Sequence, residues 1–386
     1  MIKRIAANKI SQLASVFKSV AVTGPRQSGK TTLVKMLFPD KTYLSLENPD
    51  IRRFAIEDPR GFLKRYETGA ILDEVQRTPE LFSYLQEVLD TSSEPGRFIM
   101  TGSNNFLLQQ NISQTLAGRV AILNLLPFST TELFSDSQTA PDENELIVKG
   151  LYPPVYDMNI PAEDWFPNYL RTYIDRDVRQ IKNITDLIVF ERFIRLLAGR
   201  TGQELNLTSL AVETGVDTKT VQSWIGILES SFIIYLLRPH DRNFNKTLVK
   251  RPKIYFYDTG LVCSLLGILS ADQLQQHPLR GGLFESLVVT ELLKNRTNVG
   301  KQVNLYYWRD KTGHEVDVII DNGTSLLPVE IKAGKTINTE FFKSLIYWNK
   351  LSESEKGIIA YAGSQEEDRS NGISVQNWFK MIKSEI

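Results

Sequence analysis

Five short apolar segments lie between residues 20 and 126, and segments of helical spacing separate them. They are VAVTG at 20–24, TYLSL at 42–46, AILDE at 70–74, RFIMTGS at 97–103 and VAILNLL at 120–126. Continuous apolar runs of this length predict strands buried on both faces, and intervening helices are typical of a parallel α/β sheet. We therefore expect this part of the chain to form a parallel sheet covered by helices.

The pattern changes after residue 134. The polar, acidic segment SDSQTAPDENE at 135–145 predicts a linker. Residues 149–200 have amphipathic helical spacing, and residues 283–386 return to a mixed α/β pattern. We predict three domains, at 1–134, 149–280 and 281–386.

The segment LTSLAVETGVDTKTVQSWIGILESSFIIYLL predicts a helix-turn-helix followed by a strand. Ala211 is small and Gly215 lies at the turn, and the second helix begins near Thr218. Its apolar positions are Val221, Trp224, Ile225 and Leu228, which leaves Asp217, Lys219, Gln222 and Ser223 facing outward. A winged helix is the fold that this pattern predicts.

A basic connection, DRNFNKTLVKRPK, lies between the strands FIIYLL and KIYFY and would form the wing. Its cations are Arg242, Lys246, Lys250, Arg251 and Lys253. Cations on a wing contact DNA phosphates, and we select Lys246, Lys250 and Arg251 as candidate DNA contacts. Winged helices also bind proteins, and Asp217 would repel DNA at the start of the second helix, so a protein-binding role stays open.

Composition limits the choice of partner and compartment. Of the 386 residues, 45 are Lys or Arg and 45 are Asp or Glu, so a nucleic-acid surface must be a local patch. Cys263 is the single cysteine and forms no intrachain disulfide, which indicates a reducing compartment, and we expect the cytoplasm. No segment approaches the roughly 18 apolar residues of a membrane span, so we expect no membrane partner.

The segment AVTGPRQSGKTTL, residues 21–33, matches the phosphate-loop pattern G-x-x-x-x-G-K-[ST] between a strand and a helix. Backbone amides of such a loop surround phosphates, Lys30 reaches the β- and γ-phosphate oxygens, and the Thr31 hydroxyl ligates magnesium. The predicted cofactors are ATP and Mg²⁺. The predicted nucleotide-binding residues are Gly24, Pro25, Arg26, Gln27, Ser28, Gly29, Lys30, Thr31 and Thr32.

Carboxylates and polar residues follow two later strands. Asp73 at the end of AILDE is the predicted second magnesium ligand, and Glu74 is the predicted base that activates the attacking water. At the end of the next strand we select Asn104, with Ser103 close behind, as the residue that contacts the γ-phosphate and the lytic water.

Arg119 precedes the fifth strand in the segment LAGR. At this position Arg119 could contact the γ-phosphate bound to a neighbouring subunit. Such a cation changes the rate of hydrolysis by ~10³–10⁵. The alternative is an ion pair with a surface carboxylate, worth under about 1 kcal/mol. The first interpretation predicts a homo-oligomer.

These motifs together resemble a family, the bacterial and archaeal AAA-superfamily ATPases that carry a C-terminal nuclease-like domain. The segments that carry the resemblance are GPRQSGKTTL, LSLENPD, LDEVQRTPEL, TGSNNFLL, LAGRV, LLPFSTTEL, YIDRDV and FESLVVTELLKN. The resemblance implies an AAA-type ATPase core, a helical lid, a winged helix and a restriction-endonuclease-like module. Arg176 and Arg179 are candidates for a lid arginine that senses nucleotide.

Charged residues interrupt two apolar C-terminal segments, GHEVDVII at 313–320 and LLPVEIKAG at 326–334. Residues two apart share a face of a strand, so Glu330 and Lys332 point together and Asp317 can converge from the neighbouring strand. They fit the D…E-x-K arrangement of PD-(D/E)XK nucleases, in which two carboxylates hold magnesium and lysine assists. Glu285, in the preceding helix, is a candidate fourth member. The alternatives are an ion-pair network, or binding without cutting.

The combined expectation is a protein in which ATP hydrolysis moves the winged-helix and nuclease-like domains against DNA. The alternative is a nucleotide-dependent switch that binds a protein partner and has an inactive nuclease-like domain.

Overall fold

The structure is a computed structural model that describes the chain apart from residues 1, 104–111, 113–114, 138, 175–177, 179–183, 185, 242–247 and 385–386. The predictions for Asn104, Arg176, Arg179, Arg242 and Lys246 fall outside the described residues. The chain divides into two compact units. The first comprises Met1–Phe128, Ser230–Phe232 and Arg296–Lys301, and the second comprises Ser129–Glu229, Ile233–Asn295 and Gln302–Ile386.

The first unit is built on a parallel sheet of five strands in the order β2-β3-β4-β1-β5. Each strand lies within one of the five apolar segments, except that β1 begins one residue earlier, at Ser19, so the predicted sheet is confirmed. The strands are β1 Ser19–Thr23, β2 Thr42–Ser45, β3 Ala70–Asp73, β4 Phe98–Gly102 and β5 Val120–Asn124.

Helices cover both faces of this sheet. They are α1 Ala6–Ala14, α2 Lys30–Leu37, α3 Pro49–Glu57, α4 Pro59–Arg65 and α5 Leu81–Thr91, and a short 3₁₀ helix spans Val75–Arg77. One apolar cluster joins the sheet to α3, α4 and α5, and another joins its opposite face to α1 and α2. Strands buried on both faces explain why their sequences are continuously apolar.

The second unit begins with helices. Those described are α6 Thr130–Leu133, α7 Glu143–Lys149, α8 Pro153–Asp157, α9 Ala162–Tyr173, α10 Leu187–Ala198, α11 Leu207–Thr214 and α12 Thr218–Ser230. Gly215 ends α11 with a left-handed φ of 77°, which produces the predicted turn before α12. Val221, Trp224, Ile225 and Leu228 are buried as expected. Strands β6 Ile234–Leu237 and β7 Lys253–Phe256 then pair antiparallel.

Both described ends of the β6–β7 connection form backbone hydrogen bonds with another strand. His240 donates its backbone N–H to Tyr307 and Val249 donates to Arg309, so both ends of the connection pair with the strand that contains these two residues. That strand lies at a sheet edge, where its free backbone groups accept additional pairing. Lys250 and Arg251 are exposed beside this edge.

The remainder of the second unit contains a mixed sheet of six strands in the order β12-β13-β11-β10-β9-β8. The strands are β8 Leu305–Arg309, β9 Glu315–Asp321, β10 Leu326–Lys332, β11 Gly357–Tyr361, β12 Glu367–Asp368 and β13 Ile373–Asn377. The helices are α13 Thr259–Leu266, α14 Ala271–Gln275, α15 Arg280–Asn298, α16 Lys343–Ser352 and α17 Trp378–Ser384, and a 3₁₀ helix spans Thr339–Phe342. The mixed α/β pattern predicted for this region is observed. None of the helices in the described part of the chain has both the length and the apolar character required to cross a membrane.

Candidate functional site

The predicted phosphate loop connects β1 to α2. Gly24 has a φ of 148° and Gly29 a φ of 89°, both strained for any residue with a side chain. A Cβ atom at Gly24 would lie 2.1 Å from the Leu125 carbonyl oxygen, so the backbone passes too close to the end of β5 for any other residue. Glycine at this position therefore fixes the entry into the loop.

Polar groups of the loop fit a phosphate. The buried Lys30 ammonium donates to the carbonyls of Gly24 at 3.0 Å and Pro25 at 2.7 Å, which holds it over the loop beside the start of α2. The buried Ser28 hydroxyl has no hydrogen-bond partner among the described residues. A helix start, an ammonium and an unpaired hydroxyl are donors that suit phosphate oxygens.

The two predicted magnesium ligands lie together. The Thr31 hydroxyl donates to Asp73 Oδ1 at 2.9 Å, which joins the loop to the end of β3. No group of three or more His, Cys, Asp or Glu side chains in the described ranges is placed to hold a metal. Thr31 and Asp73 suit Mg²⁺, which is bound by few protein oxygens and keeps phosphate oxygens and water as its other ligands.

Two further hydroxyls on Asp73 were missed by the sequence analysis. Tyr43 donates to Asp73 Oδ2 at 2.7 Å, and Thr101 donates to Asp73 Oδ1. Burial and the Asp73 carboxylate raise the pKa of Tyr43 to about 12, so its hydroxyl stays a donor at neutral pH. Tyr43 and Thr101 lie on the strands that flank β3. Their proximity to Asp73 can be recognised only once the strand order is known.

Glu74, the predicted base, follows Asp73 in a left-handed conformation with a φ of 55°. This conformation costs a non-glycine residue about 1–2 kcal/mol. The Glu74 carboxylate accepts from Ser103 at 3.0 Å and from the Gln76 side chain. The structure thus brings the predicted base to the end of β4, where Ser103 was the second choice for the phosphate-contacting residue.

Arg119 lies away from the phosphate loop of its own chain. Its carbonyl accepts from the N–H of Ser19, the first residue of β1, whereas the loop follows the other end of β1. The guanidinium pairs with both carboxylate oxygens of Asp90, and this contact lowers the pKa of Asp90. Within one chain, Arg119 therefore forms the surface ion pair named as the alternative.

Arg4 supports the phosphate loop and was also missed. Its side chain is only 6% exposed and donates to the carbonyls of Ser28 at 2.8 Å and Leu126 at 2.6 Å. The guanidinium also lies over the Phe128 ring. A lone arginine ahead of a helix carries no motif that would identify this contact.

In the second unit, the four predicted nuclease-like residues form one electrostatic cluster. Glu285 lies on α15, Asp317 on β9, and Glu330 and Lys332 on β10. Lys332 donates to Glu330 Oε1 at 2.6 Å, and Asp317 interacts electrostatically with Glu285, Glu330 and Lys332. Asp317 Oδ2 also accepts the N–H of Ile331 at 2.8 Å. The structure therefore brings these four residues together.

Lys253 joins this cluster, which corrects its assignment to the exposed basic connection. It is 3% exposed, and its ammonium lies 3.0 Å from Glu285 Oε1 and also contacts Glu315. Tyr255, two residues along β7, donates to the same Glu285 oxygen. The period of two along a strand points both side chains toward α15. The lysine at the start of KIYFY belongs to the strand, and the sequence analysis assigned it to the loop.

The cluster disfavours ionised carboxylates. Burial, followed by the Asp317 charge, raises the pKa of Glu330 to about 8. Burial is also the largest cause of the raised pKa of Glu285, to which Asp317 adds. A carboxyl that is protonated in the folded state near pH 7 loses its proton, at a cost to folding, as the pH rises.

Glu330→Gln should weaken the pH dependence of stability. A glutamate that titrates near pH 4.3 when unfolded and near 8 when folded binds more protons in the folded state between these pH values. Its contribution to the free energy of unfolding therefore falls as the pH rises, by at most about 1.4 kcal/mol per pH unit. Urea unfolding from pH 5 to 8 should show a smaller loss in the variant. The exposed Glu340→Gln is the control, and equal slopes in all three proteins would contradict the assignment.

Asp217 caps the second helix of the helix-turn-helix. Its carboxylate accepts from the Thr220 N–H at 2.9 Å and the Thr220 hydroxyl at 2.7 Å, and these bonds lower the pKa of Asp217. The outward positions Lys219 and Gln222 are exposed as predicted. A fixed negative charge therefore stands at the start of this helix.

Family models match three successive parts of the chain. Residues 16–134 match a model described as an AAA domain, which confirms the AAA-type part of the resemblance. Residues 140–272 and 280–380 match two models described as domains of unknown function, DUF8612 and DUF4143.

Known relatives span most of the chain. An uncharacterised protein of Mycobacterium tuberculosis is 30% identical over 340 residues, which cover 86% of this chain and 74% of the relative. An uncharacterised protein of Haemophilus influenzae is 23% identical, over 72% of this chain and 68% of its own length. Among solved structures, the Walker-type ATPase of Pyrococcus abyssi has a TM-score of 0.44 and 13% identity, over 67% of this chain and 94% of that one. This structural likeness is too distant to assign a function.

Proposed function

This chain belongs to the same family as the Mycobacterium tuberculosis protein and contains an AAA domain, and from that premise we propose that it binds and hydrolyses MgATP. The observation that carries the proposal is the hydrogen bond from Thr31 to Asp73, with Lys30 and Glu74 beside them. In the proposed mechanism Lys30 holds the β- and γ-phosphates, Thr31 and Asp73 hold magnesium, and Glu74 accepts a proton from the attacking water. Magnesium supplies charge neutralisation on the phosphates.

The catalytic assembly is a homo-oligomer in this proposal. Arg119 lies beside the start of β1, whereas its own phosphate loop follows the end of β1. An arginine at this position serves catalysis only at a neighbour's site. Asp90 is its partner within the chain and would be exchanged for a γ-phosphate when subunits assemble.

We further propose that ATP turnover acts on DNA, with functional domains at 1–134, 149–280 and 281–386. Two features of the second unit support this use. One is a helix-turn-helix followed by a two-stranded sheet, in which Lys250 and Arg251 are exposed next to β7. The other is the carboxylate and lysine cluster on a mixed sheet, the arrangement that nuclease-like domains share. Phosphate contacts by such cations add salt dependence rather than sequence specificity.

A second function, a nucleotide-dependent switch that binds a protein partner, is favoured by one specific observation. The ionised Asp217 carboxylate caps the helix that would enter the DNA groove, and it would repel phosphates. In this second proposal the helix-turn-helix binds protein, and the cluster in the mixed sheet has a structural role.

Stimulation of ATP turnover by DNA separates the two functions. If ATP turnover acts on DNA, single-stranded, duplex or branched DNA should raise ATPase activity several-fold at low salt, and the increase should vanish as the salt concentration rises. Lys250→Ala with Arg251→Ala should weaken DNA binding and flatten its salt dependence, whereas the exposed Lys64→Ala on α4 is the control. The protein-binding switch would be favoured if no DNA changes the ATPase activity and the double variant binds DNA with unaltered affinity.

A further inference from the structure

The acidic cluster of the second unit contains its own cations. Four carboxylates belong to it, from Glu285, Glu315, Asp317 and Glu330, and two lysines, Lys253 and Lys332, lie among them. Lys253 interacts electrostatically with Glu285, Asp317 and Glu315. Its ammonium therefore supplies a positive charge beside Glu285 and Asp317, two members of the predicted nuclease-like site.

Protein donors already use one oxygen of each of three carboxylates in the cluster. Glu285 Oε1 accepts from Lys253 and Tyr255, and Asp317 Oδ2 accepts a backbone N–H. Glu330 Oε1 accepts from Lys332 at 2.6 Å and from Ser344 at 3.2 Å. Within the described residues, no three acidic side chains converge closely enough to bind a metal. The divalent cation implied by the nuclease-like fold does not fit this arrangement.

One oxygen of the cluster differs from the others. Glu330 Oε2 is buried and accepts no hydrogen bond from the described residues. Buried polar atoms of this kind are rare in folded proteins. A cation bound in the cluster in place of Lys253 could therefore use this oxygen as a ligand.

We propose that Lys253 is the built-in cation of this cluster and replaces a divalent metal, so that the cluster binds no metal ion while Lys253 is seated. The inference goes beyond ATP hydrolysis because it concerns a site in the other unit. It assigns Lys253 a positioning role, which is to neutralise Glu285 and Glu315 and hold β7 against α15. A buried charge must be paired, so the buried ammonium stabilises the carboxylates that it contacts and joins the strand to the helix.

Manganese binding tests the proposal. All proteins are full-length, free of nucleotide and carry Asp73→Asn, so that the phosphate-loop site contributes no metal binding. Free Mn²⁺ is measured by electron paramagnetic resonance during titration. We expect no Mn²⁺ bound at the cluster in the protein with Lys253. Lys253→Met should gain one Mn²⁺ site, which binds Mn²⁺ at least tenfold more tightly than any residual binding to the protein with Lys253. Adding Asp317→Asn to Lys253→Met should remove that site, and the exposed Lys311→Met is the matched control.

Two results would overturn the proposal. One is an Mn²⁺ site in the protein with Lys253 that Asp317→Asn removes, and this measurement requires no substitution of Lys253. The other is a folded Lys253→Met protein, judged by circular dichroism, that gains no Mn²⁺. If burial of unpaired carboxylates unfolds Lys253→Met, the double variant Lys253→Met with Glu285→Gln removes one negative charge and is titrated instead. ATPase activity of the protein with an intact Asp73 is measured separately, so failure of this proposal and failure of the proposed function are distinguishable.

Discussion

The Glu74→Gln protein should bind MgATP as tightly as the parent and hydrolyse it about 10²–10⁴-fold more slowly. The amide cannot accept a proton from the attacking water, and a positioned general base contributes a factor of this size. Thr31 and Asp73 keep their contact in the variant, so magnesium binding should survive. Single-turnover hydrolysis and the affinity for a fluorescent ATP analogue measure the two effects separately.

Two companion variants make this result specific. Lys30→Ala should lose ATP binding itself, because it removes the ammonium held over the phosphate loop. Ser103→Ala removes the hydroxyl that donates to Glu74 while it keeps the carboxylate, so its turnover should fall far less than that of Glu74→Gln. Equal hydrolysis by Glu74→Gln and the parent would exclude Glu74 as the base.

Arg119→Ala should lower turnover by about 10³–10⁵ and leave ATP binding intact, if the arginine stabilises charge on a neighbour's γ-phosphate. Asp90→Asn is the matched control, because it breaks the same ion pair and leaves the guanidinium in place. A purely structural pair predicts equal, small effects of both substitutions, since exposed pairs contribute under about 1 kcal/mol. Steady-state ATPase assays over a range of protein concentrations measure both rates.

Mixing inactive subunits tests whether Arg119 acts between them. An Arg119→Ala subunit keeps Glu74, and a Glu74→Gln subunit keeps Arg119, so one type of mixed interface contains both intact residues. Part of the parental activity should therefore return when the two proteins are mixed. Mixed oligomers, demonstrated by differently tagged subunits, that stay inactive would contradict catalysis in trans.

The sequence was sufficient for the sheet of the first unit and for the positions of its candidate site residues along that sheet. Strands buried on both faces are continuously apolar, and the phosphate loop has a fixed spacing, so β1 and Lys30 could be located without any tertiary information. Asp73 and Glu74 were located because they end an apolar strand. Each of these signals is local in the sequence.

The contacts that were missed depend on tertiary neighbours. Tyr43 and Thr101 reach Asp73 because β2 and β4 flank β3, and no local pattern states that order. From the sequence alone, Lys253 is indistinguishable from the other cations of the basic connection. Its role becomes evident only from the contact between β7 and α15. Arg4 lies 24 residues ahead of the Ser28 carbonyl that it holds.

Pairing of the β6–β7 connection with β8 has a consequence for dissecting the protein. A fragment that begins at residue 281 would lack Leu248 and Val249, which pair with Asp310 and Arg309 at the end of β8. The uncovered backbone N–H and C=O groups would then offer a template for edge-to-edge association with a second copy of the fragment. Insolubility of such a fragment would therefore not by itself indicate that the sheet fails to fold, because an exposed strand edge produces the same result.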